Sequence, residues 1–400
     1  MSKVAFLYAT FPRPTETFVR RELRAFKQIG FNPNLYSIWK GDTKWEGKKI
    51  YRFKFPRLFL LIFWIPYWCW KKPKAFKEIL KELWTKPCPN LQNWNETFLA
   101  LGFALVEAHH FKKEKYSLLH GIWATMPATA ALALSKLINV PFSMGAHAYD
   151  VFRTGGDWLL ELKFKNAEFI RTSSQSTVRR IEQIGVSPGK VKLIRRGLAN
   201  WPDRNNFGLI NPARLELLSV GRLVEKKGYI YQLKIAEELL AQSIPFRLRI
   251  VGSGPLGDFL LKEINRLNLV DNVKFLGSKS QQETKEIYLQ SDAFIFTGVI
   301  ANNGDRDGIP NVIPEAMSSG CLILASCNAG ASEAFIEDVS GFSLNPTDTE
   351  RWVLILKDFW DEPSSFQLIR KRAIKHTKQA FDVVKTVNSF CSLIQQNLRI

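Results

Sequence analysis

Two runs in the C-terminal third, Ala293-Phe294-Ile295-Phe296 and Cys321-Leu322-Ile323-Leu324-Ala325, carry no polar face. Strands of that kind are buried on both sides, as in a parallel sheet covered by helices. Between them lies a polar loop ending in Asp307-Gly308, then Ile309-Pro310-Asn311-Val312-Ile313-Pro314-Glu315-Ala316-Met317-Ser318-Ser319-Gly320. Proline is tolerated only in a helix's first turn, so the helix starts near 310–314 and stops near Gly320. Strand, loop, helix and strand place two carboxylates, Asp307 and Glu315, at one loop–helix junction. A helix start of this kind attracts phosphate. The plainer reading makes Glu315 a complement to the helix dipole and Asp307 a loop cap.

The same rhythm runs through both halves. Val4-Ala5-Phe6-Leu7-Tyr8 is a buried strand, Val19, Leu23 and Phe26 mark an amphipathic helix, and Asn34-Leu35-Tyr36-Ser37-Ile38 is a second strand. This opening argues for a doubly wound α/β domain. A strand and loop are expected at 116–121, a strand running into a polar turn at 141–150 and a strand at 169–174, and 191–197 closes the first domain. An alanine-rich helix is expected over 127–137. His147, at a strand end where open α/β sheets place ligands, precedes Asp150 by three residues. Residues 198–212 are polar and turn-rich, with Asn200, Pro202, Asn205 and Gly208, and suit a domain boundary. Strands then restart at 215–220, 246–251 and 273–277.

Residues 54–74 break the pattern. Leu58 to Trp70 is a solidly apolar, aromatic run fringed by Lys54, Arg57, Lys71, Lys72 and Lys74. It is too short to span a bilayer, which needs about 20 residues, and Pro66 interrupts it. Aromatics beside a basic fringe suit a membrane interface with anionic head groups. Trp64, Trp68, Trp70, Lys71 and Lys72 are therefore expected to face the membrane; the alternative is a core helix.

Four hundred residues with 46% apolar and 23% charged side chains allow two domains with cores of their own. A net charge of +19 favours anionic partners without choosing among nucleic acid, acidic lipid and nucleotides. The five cysteines are scattered, with no metal spacing, and fit reduced thiols in a cytoplasmic protein. The chain enters its first strand pattern at once, so no signal peptide is expected.

In the second domain, Gly221-Arg222-Leu223 with Lys227-Gly228, the amides of Gly252-Ser253-Gly254, and the helix after Pro310 all follow strands. Strand ends of one parallel sheet face the same side, so these groups converge. Arg222 and Lys227 suit a diphosphate, and glycine lets backbone come close to it. Asp307 and Glu315 cannot favour phosphate but accept hydrogen bonds from hydroxyls, as on a ribose and a hexose. Diphosphate plus sugar hydroxyls describes a nucleotide sugar.

With these residues the chain resembles the retaining glycosyltransferases of family 4. The resemblance is strongest over 215–347, through Val220-Gly221-Arg222-Leu223, Val251-Gly252-Ser253-Gly254-Pro255, and Asp307 with Glu315-Ala316-Met317. Phe11-Pro12 with Thr15-Glu16-Thr17-Phe18, and His147 to Asp150, resemble the branch that builds exopolysaccharides and colanic-acid-like polymers. The resemblance implies a GT-B fold: two Rossmann-like doubly wound α/β domains facing across a cleft. It implies an acceptor-side domain over 1–203, a donor domain over 204–377, and a C-terminal helix over 378–400 packing back on the first. Arg222, Lys227, Gly252, Gly254, Gly308, Ile309, Pro310 and Asn311 would bind the donor, a UDP- or GDP-linked sugar. Glu315 would hold the ribose, Asp307 the donor sugar, and His147 would act beside that sugar. Thr15 and Glu16 would lie on the acceptor side. Transfer would retain anomeric configuration without a metal or other cofactor.

The expected protein is thus a glycosyltransferase on the inner face of the cell membrane, extending a lipid-linked or polysaccharide acceptor. It departs from the family pattern in having Asp307 where Glu is usual, in Pro314, and in Ala329-Gly330-Ala331-Ser332-Glu333. One rival is a non-catalytic scaffold of a polysaccharide assembly complex. A nucleic-acid binder is the other, and it is disfavoured because the aromatics cluster in the apolar run instead of alternating with lysines. No nucleic-acid partner is expected.

Overall fold

The computed structural model describes residues 3–398 apart from 14, 15, 200, 203, 205 and 329. The chain divides into two compact units. One comprises Met1–Arg195 with Thr386–Ile400, the other Arg196–Lys385.

The first unit runs β1 (Val4–Phe11), α1 (Thr17–Gln28), β2 (Asn34–Gly41), β3 (Lys44–Trp45), β4 (Lys48–Arg52), α2 (Leu61–Lys71), α3 (Pro73–Thr85) and α4 (Leu91–Glu114). It continues through β5 (Leu118–Gly121), α5 (Met126–Ile138), β6 (Phe142–Gly145), α6 (Ala148–Phe152), α7 (Leu160–Asn166), β7 (Ile170–Thr172), α8 (Gln175–Gln183) and β8 (Val191–Leu193). Among the described residues the sheet order is β3-β4-β2-β1-β5-β6-β7-β8, parallel except for the β3–β4 hairpin. β1 lies between β2 and β5, so every residue of its first half is buried, as its unbroken apolar run requires.

The second unit holds β9 (Leu215–Val220), α9 (Tyr229–Ala241), β10 (Phe246–Val251), α10 (Gly257–Arg266), β11 (Val273–Gly277), α11 (Gln281–Leu289), β12 (Ala293–Phe296), α12 (Val312–Ser318) and β13 (Leu322–Ser326). β14 (Phe342–Leu344), α13 (Thr349–Asp361) and α14 (Gln367–Ala380) follow, and α15 (Val383–Asn397) leads into the first unit. Its sheet is wholly parallel in the order β11-β10-β9-β12-β13-β14. That is the doubly wound order whose direction of winding reverses between the first and fourth strands, here β9 and β12. Pro314 is the third residue of α12, where a missing N–H costs no helical hydrogen bond.

The unit boundary precedes the polar stretch that its composition singles out. Leu198 is buried in the second unit and exchanges backbone hydrogen bonds with Phe381 (2.6 Å) and Val383 (3.1 Å). The Arg204 guanidinium donates to the Ser291 carbonyl at 2.9 Å, and Ile210 N donates to Asp292 at 2.8 Å. Turn-forming residues therefore line a segment bound to the sheet rather than a free linker; Asn200 and Asn205 lie outside the described residues. In the first unit, the Phe390 ring of α15 packs on Phe6 and Phe26, and the Arg171 guanidinium lies over it.

Candidate active site

In the second unit the loops after β9 and β12 leave from the point where the winding reverses, the position where such sheets bind ligands. The two loops are locked together. Thr297 Oγ1 donates to the Gly228 carbonyl (2.8 Å), Val299 N to the Lys226 carbonyl (2.9 Å), and Asn302 N to the Glu225 carboxylate (3.0 Å). Gly228 is in the left-handed region, and a Cβ there would sit 1.9 Å from the Thr297 carbonyl oxygen. Gly254 also has no room for a side chain, since a Cβ would meet the Leu223 carbonyl oxygen at 2.5 Å. The loop after β10 thus approaches the loop after β9 at backbone distance.

Four charges gather there. Lys227 Nζ lies 2.7 Å from the Asp307 carboxylate, and Lys226 Nζ lies 3.0 Å from Asp305 and 3.5 Å from Asp307. Lys227 also sits 5.0 Å over the Phe296 ring. Burial alone would raise the Asp307 carboxyl, but Lys227 and Lys226 outweigh it and hold the group below the usual carboxylate range. The two residues read from the sequence as a phosphate ligand and a sugar ligand are therefore each other's partners. Lys226 and Asp305 were missed in that reading; Lys226 adjoins Lys227 and lacks a motif of its own.

Arg222 is exposed at the same edge. Gly330 N donates to the Asp307 carbonyl at 3.2 Å, and Gly330 has no room for a Cβ against Gly308. Ile309 and Asn311 are partly exposed and Pro310 is buried. Glu315 stands in the first turn of α12, where the Tyr288 hydroxyl donates to it at 3.4 Å. Gly252, at φ +142°, would place a Cβ 1.9 Å from the Gly221 carbonyl oxygen. Among the described residues no group of three or more His, Cys, Asp or Glu is placed to hold a metal ion.

In the first unit, His147 precedes α6. Asp150 Oδ2 accepts from His147 N at 2.8 Å, and His147 Nδ1 lies 3.3 Å from Ser173 Oγ. A ring chain runs from Phe18 of α1 to Trp123 (5.8 Å) and on to His147 (5.1 Å). Glu16 precedes α1, 3.9 Å from Arg13; Thr15 lies outside the described residues. Beneath this surface Asp150 is buried, and burial pushes its carboxyl up to about 7. Fully buried Lys163 pairs with Asp157 and donates to the Ala124 carbonyl and to Thr129 Oγ1 (3.1 Å). One lysine thus ties the loop after β5 to the segment after α6.

The apolar run 58–70 splits its faces. Trp68 is 2% exposed and its indole N–H donates to the Leu105 carbonyl at 3.0 Å, so it is core and not membrane-facing. Trp64 is half-buried, 4.6 Å from the His109 ring, and Lys72 is half-buried and donates to Asn139 at 2.8 Å. Trp70 is 81% exposed, and Lys71 is exposed. Large apolar side chains beyond the expected residues are also exposed: Phe59, Ile62 and Phe63, Leu80 and Trp84 of α3, and Leu91 of α4; Trp84 is 92% exposed. No described helix is long and apolar enough to cross a membrane.

Two α/β units built on parallel sheets give the chain the GT-B fold. Residues 203–379 match the family described as Glycosyl transferases group 1; the chain carries a group 1 glycosyltransferase domain and is a glycosyltransferase. WcaL of Salmonella typhimurium, a protein named for colanic acid biosynthesis, is 23% identical over 98% of this chain and 99% of its own. The amylovoran biosynthesis glycosyltransferase AmsK of Erwinia amylovora is 30% identical over 48% of this chain and 47% of its own. The structure of Anabaena Alr3699/HepE in complex with UDP-glucose superposes with a TM-score of 0.69. It is 17% identical, covering 99% of this chain and 100% of that one.

Proposed function

We propose that the protein transfers a sugar from a nucleoside diphosphate, with uridine as the first base to test, to a growing exopolysaccharide or its lipid-linked precursor. The observation that carries this reading is the pairing of Lys227 with Asp307 at the winding reversal of the second sheet. Support for the donor comes from HepE, whose structure holds UDP-glucose, and for the polymer from WcaL and AmsK. The resemblance to family 4 supplies the retaining course and the independence from metal.

In this reading Arg222 and Lys227 hold the diphosphate and stabilise its charge as it leaves, a contribution that grows toward the transition state. Asp307 accepts from donor-sugar hydroxyls and Glu315 from the ribose. The resemblance to family 4 assigns His147 to the donor sugar and Thr15 and Glu16 to the acceptor side. Because Lys227 and Asp307 already neutralise one another, donor entry exchanges one ion pair for two ligand contacts. That same pair also favours a second reading, a non-catalytic relative in which the charges only brace the loops.

Peripheral contact with the inner face of the cell membrane belongs to the same proposal. Large apolar faces ringed by lysine are unusual on free surfaces and suit an acidic bilayer. The experiment is transfer from UDP-glucose, UDP-galactose and GDP-mannose to membrane extracts, with product anomers assigned by NMR. Arg222→Ala and Lys227→Ala should each lower kcat/KM more than tenfold. Donor turnover unchanged in both variants would sink the assignment, and no turnover with any donor would favour the bracing reading.

A further inference from the structure

We propose that a cavity in the first unit seats the phosphate of an anionic lipid headgroup, beside the apolar face that meets the bilayer. This rests on the membrane reading above. The cavity, about 220 Å³, is lined by Tyr36, Tyr51, Arg52, Arg57, Glu107 and His110 among others. Its aromatic wall is rigid. Tyr36 and Tyr51 stack with centroids 5.0 Å apart and planes 18° apart, and the Tyr36 hydroxyl lies 3.1 Å from His110 Nε2 and 2.7 Å from the Tyr116 hydroxyl.

The charge in the cavity is unbalanced. Arg57 pairs with Glu107, a carboxylate that is itself buried, while Arg52 gives one N–H to the Gly41 carbonyl at 3.2 Å. A guanidinium carries five donors in a planar fork, so both arginines keep donors directed elsewhere. Two guanidiniums against a single carboxylate favour a phosphate over a neutral sugar. Place decides the source of that phosphate. Arg57 lies on the helical turn Phe55–Leu60, and the same turn presents Phe59, 84% exposed, just before the exposed Ile62 and Phe63 of α2. A phosphate on Arg57 therefore sits within one helical turn of side chains suited to acyl chains.

The test uses the whole protein and the probe sn-glycerol 3-phosphate, with flotation on phosphatidylcholine vesicles containing or lacking phosphatidylglycerol. The variants are Arg52→Gln and the pair Arg57→Gln/Glu107→Gln, which leaves no buried carboxylate stranded. Lys77→Gln, on the exposed side of α3, is the charge control. We expect saturable binding of the probe that falls at least tenfold in both cavity variants and is unchanged in Lys77→Gln. The probe should also displace the wild type from the anionic vesicles, on which Arg52→Gln should float far less than Lys77→Gln does. A charge near an acidic surface by itself changes affinity by about fivefold and shows no saturation by a soluble ester. Absence of saturable binding, or binding equal to wild type in both cavity variants, overturns the pocket. Saturable binding by a protein that floats with neither vesicle overturns the lipid source and the membrane reading together, leaving a site for free phosphate esters. Flotation lost in Phe59→Ser/Phe63→Ser but intact in Arg52→Gln keeps the membrane reading and overturns the headgroup pocket.

Discussion

Lys227 and Asp307 meet at 2.7 Å across the two loops that flank the winding reversal of the second sheet. The pair explains how an aspartate can stand where the resembling family has glutamate. Lys226 approaches the same carboxylate at 3.5 Å, so the shorter side chain is held from two sides. Asp307→Asn keeps the size and removes the charge-assisted acceptor, so it should lose most transfer activity, at least tenfold in kcat/KM. Asp307→Glu should retain part of it. Steady-state transfer with the best donor is the measurement, and an Asn variant as active as wild type would make Asp307 a brace. The Asp307 carboxyl lies below the usual range, so its stabilising contribution is present above the unfolded carboxylate pKa and is lost only as pH falls through the depressed value. No acid limb near neutral pH should come from this group.

Lys226 is a positioning residue by the same geometry. Its side chain is only 9% exposed and is shared by Asp305 and Asp307. Lys226→Met should leave two carboxylates close together with less compensation. The thermal melt should fall by several degrees, consistent with about 1–3 kcal/mol for breaking a partly buried pair. kcat should fall more than KM rises if the lysine orients Asp307 for the sugar, because that contact matters most in the transition state. A lowered melt with unchanged kcat would leave Lys226 purely structural.

The parallel sheets were legible because their strands are unbroken apolar runs: Leu215–Val220 and Phe246–Val251 stand where the sequence places them. Gly252 reads from the sequence as bringing backbone close to a phosphate; the structure presses Gly252 against the Gly221 carbonyl and Gly228 against the Thr297 carbonyl, contacts between loops that the sequence does not announce. What one-dimensional reading missed depends on pairing across long separations. Asp305 meets Lys226 across 79 residues, and Lys163 meets Thr129 across 34. Nothing in local spacing announces either. The apolar run 58–70 misled for another reason. Its composition is amphiphilic overall, but the helical turn sends Trp68 inward and Trp70 outward, a 200° difference that a count of tryptophans does not see.

Those two tryptophans give a direct check. Trp68→Ala opens a cavity under α4 and removes the indole hydrogen bond to the Leu105 carbonyl, so it should cost about 3–5 kcal/mol. Trp70→Ala removes an exposed ring and should change the melt by less than about 0.5 kcal/mol. Urea unfolding of both variants is decisive. Equal losses would mean that the α2 face is covered in the folded protein.

Asp150 makes the last prediction, because its sign runs against that of Asp307. The group is buried beneath the His147 turn, and burial pushes its carboxyl up to about 7. The folded state therefore holds this proton more tightly than the unfolded chain, whose aspartates titrate near 3.9. The contribution of that proton is fully present below the unfolded value and is lost as pH rises toward about 7. Above that pH the ionised carboxylate remains, held by the His147 N–H and by the field of Lys163. Asp150→Asn keeps an oxygen for the His147 N–H but cannot titrate. Between pH 5 and pH 8 the wild type should therefore lose stability relative to Asp150→Asn, by about 2–3 kcal/mol at most. Urea unfolding of both proteins at the two pH values measures the difference. A constant gap would mean that Asp150 stays ionised throughout, with Lys163 compensating its charge more fully than its distance from the capping turn implies.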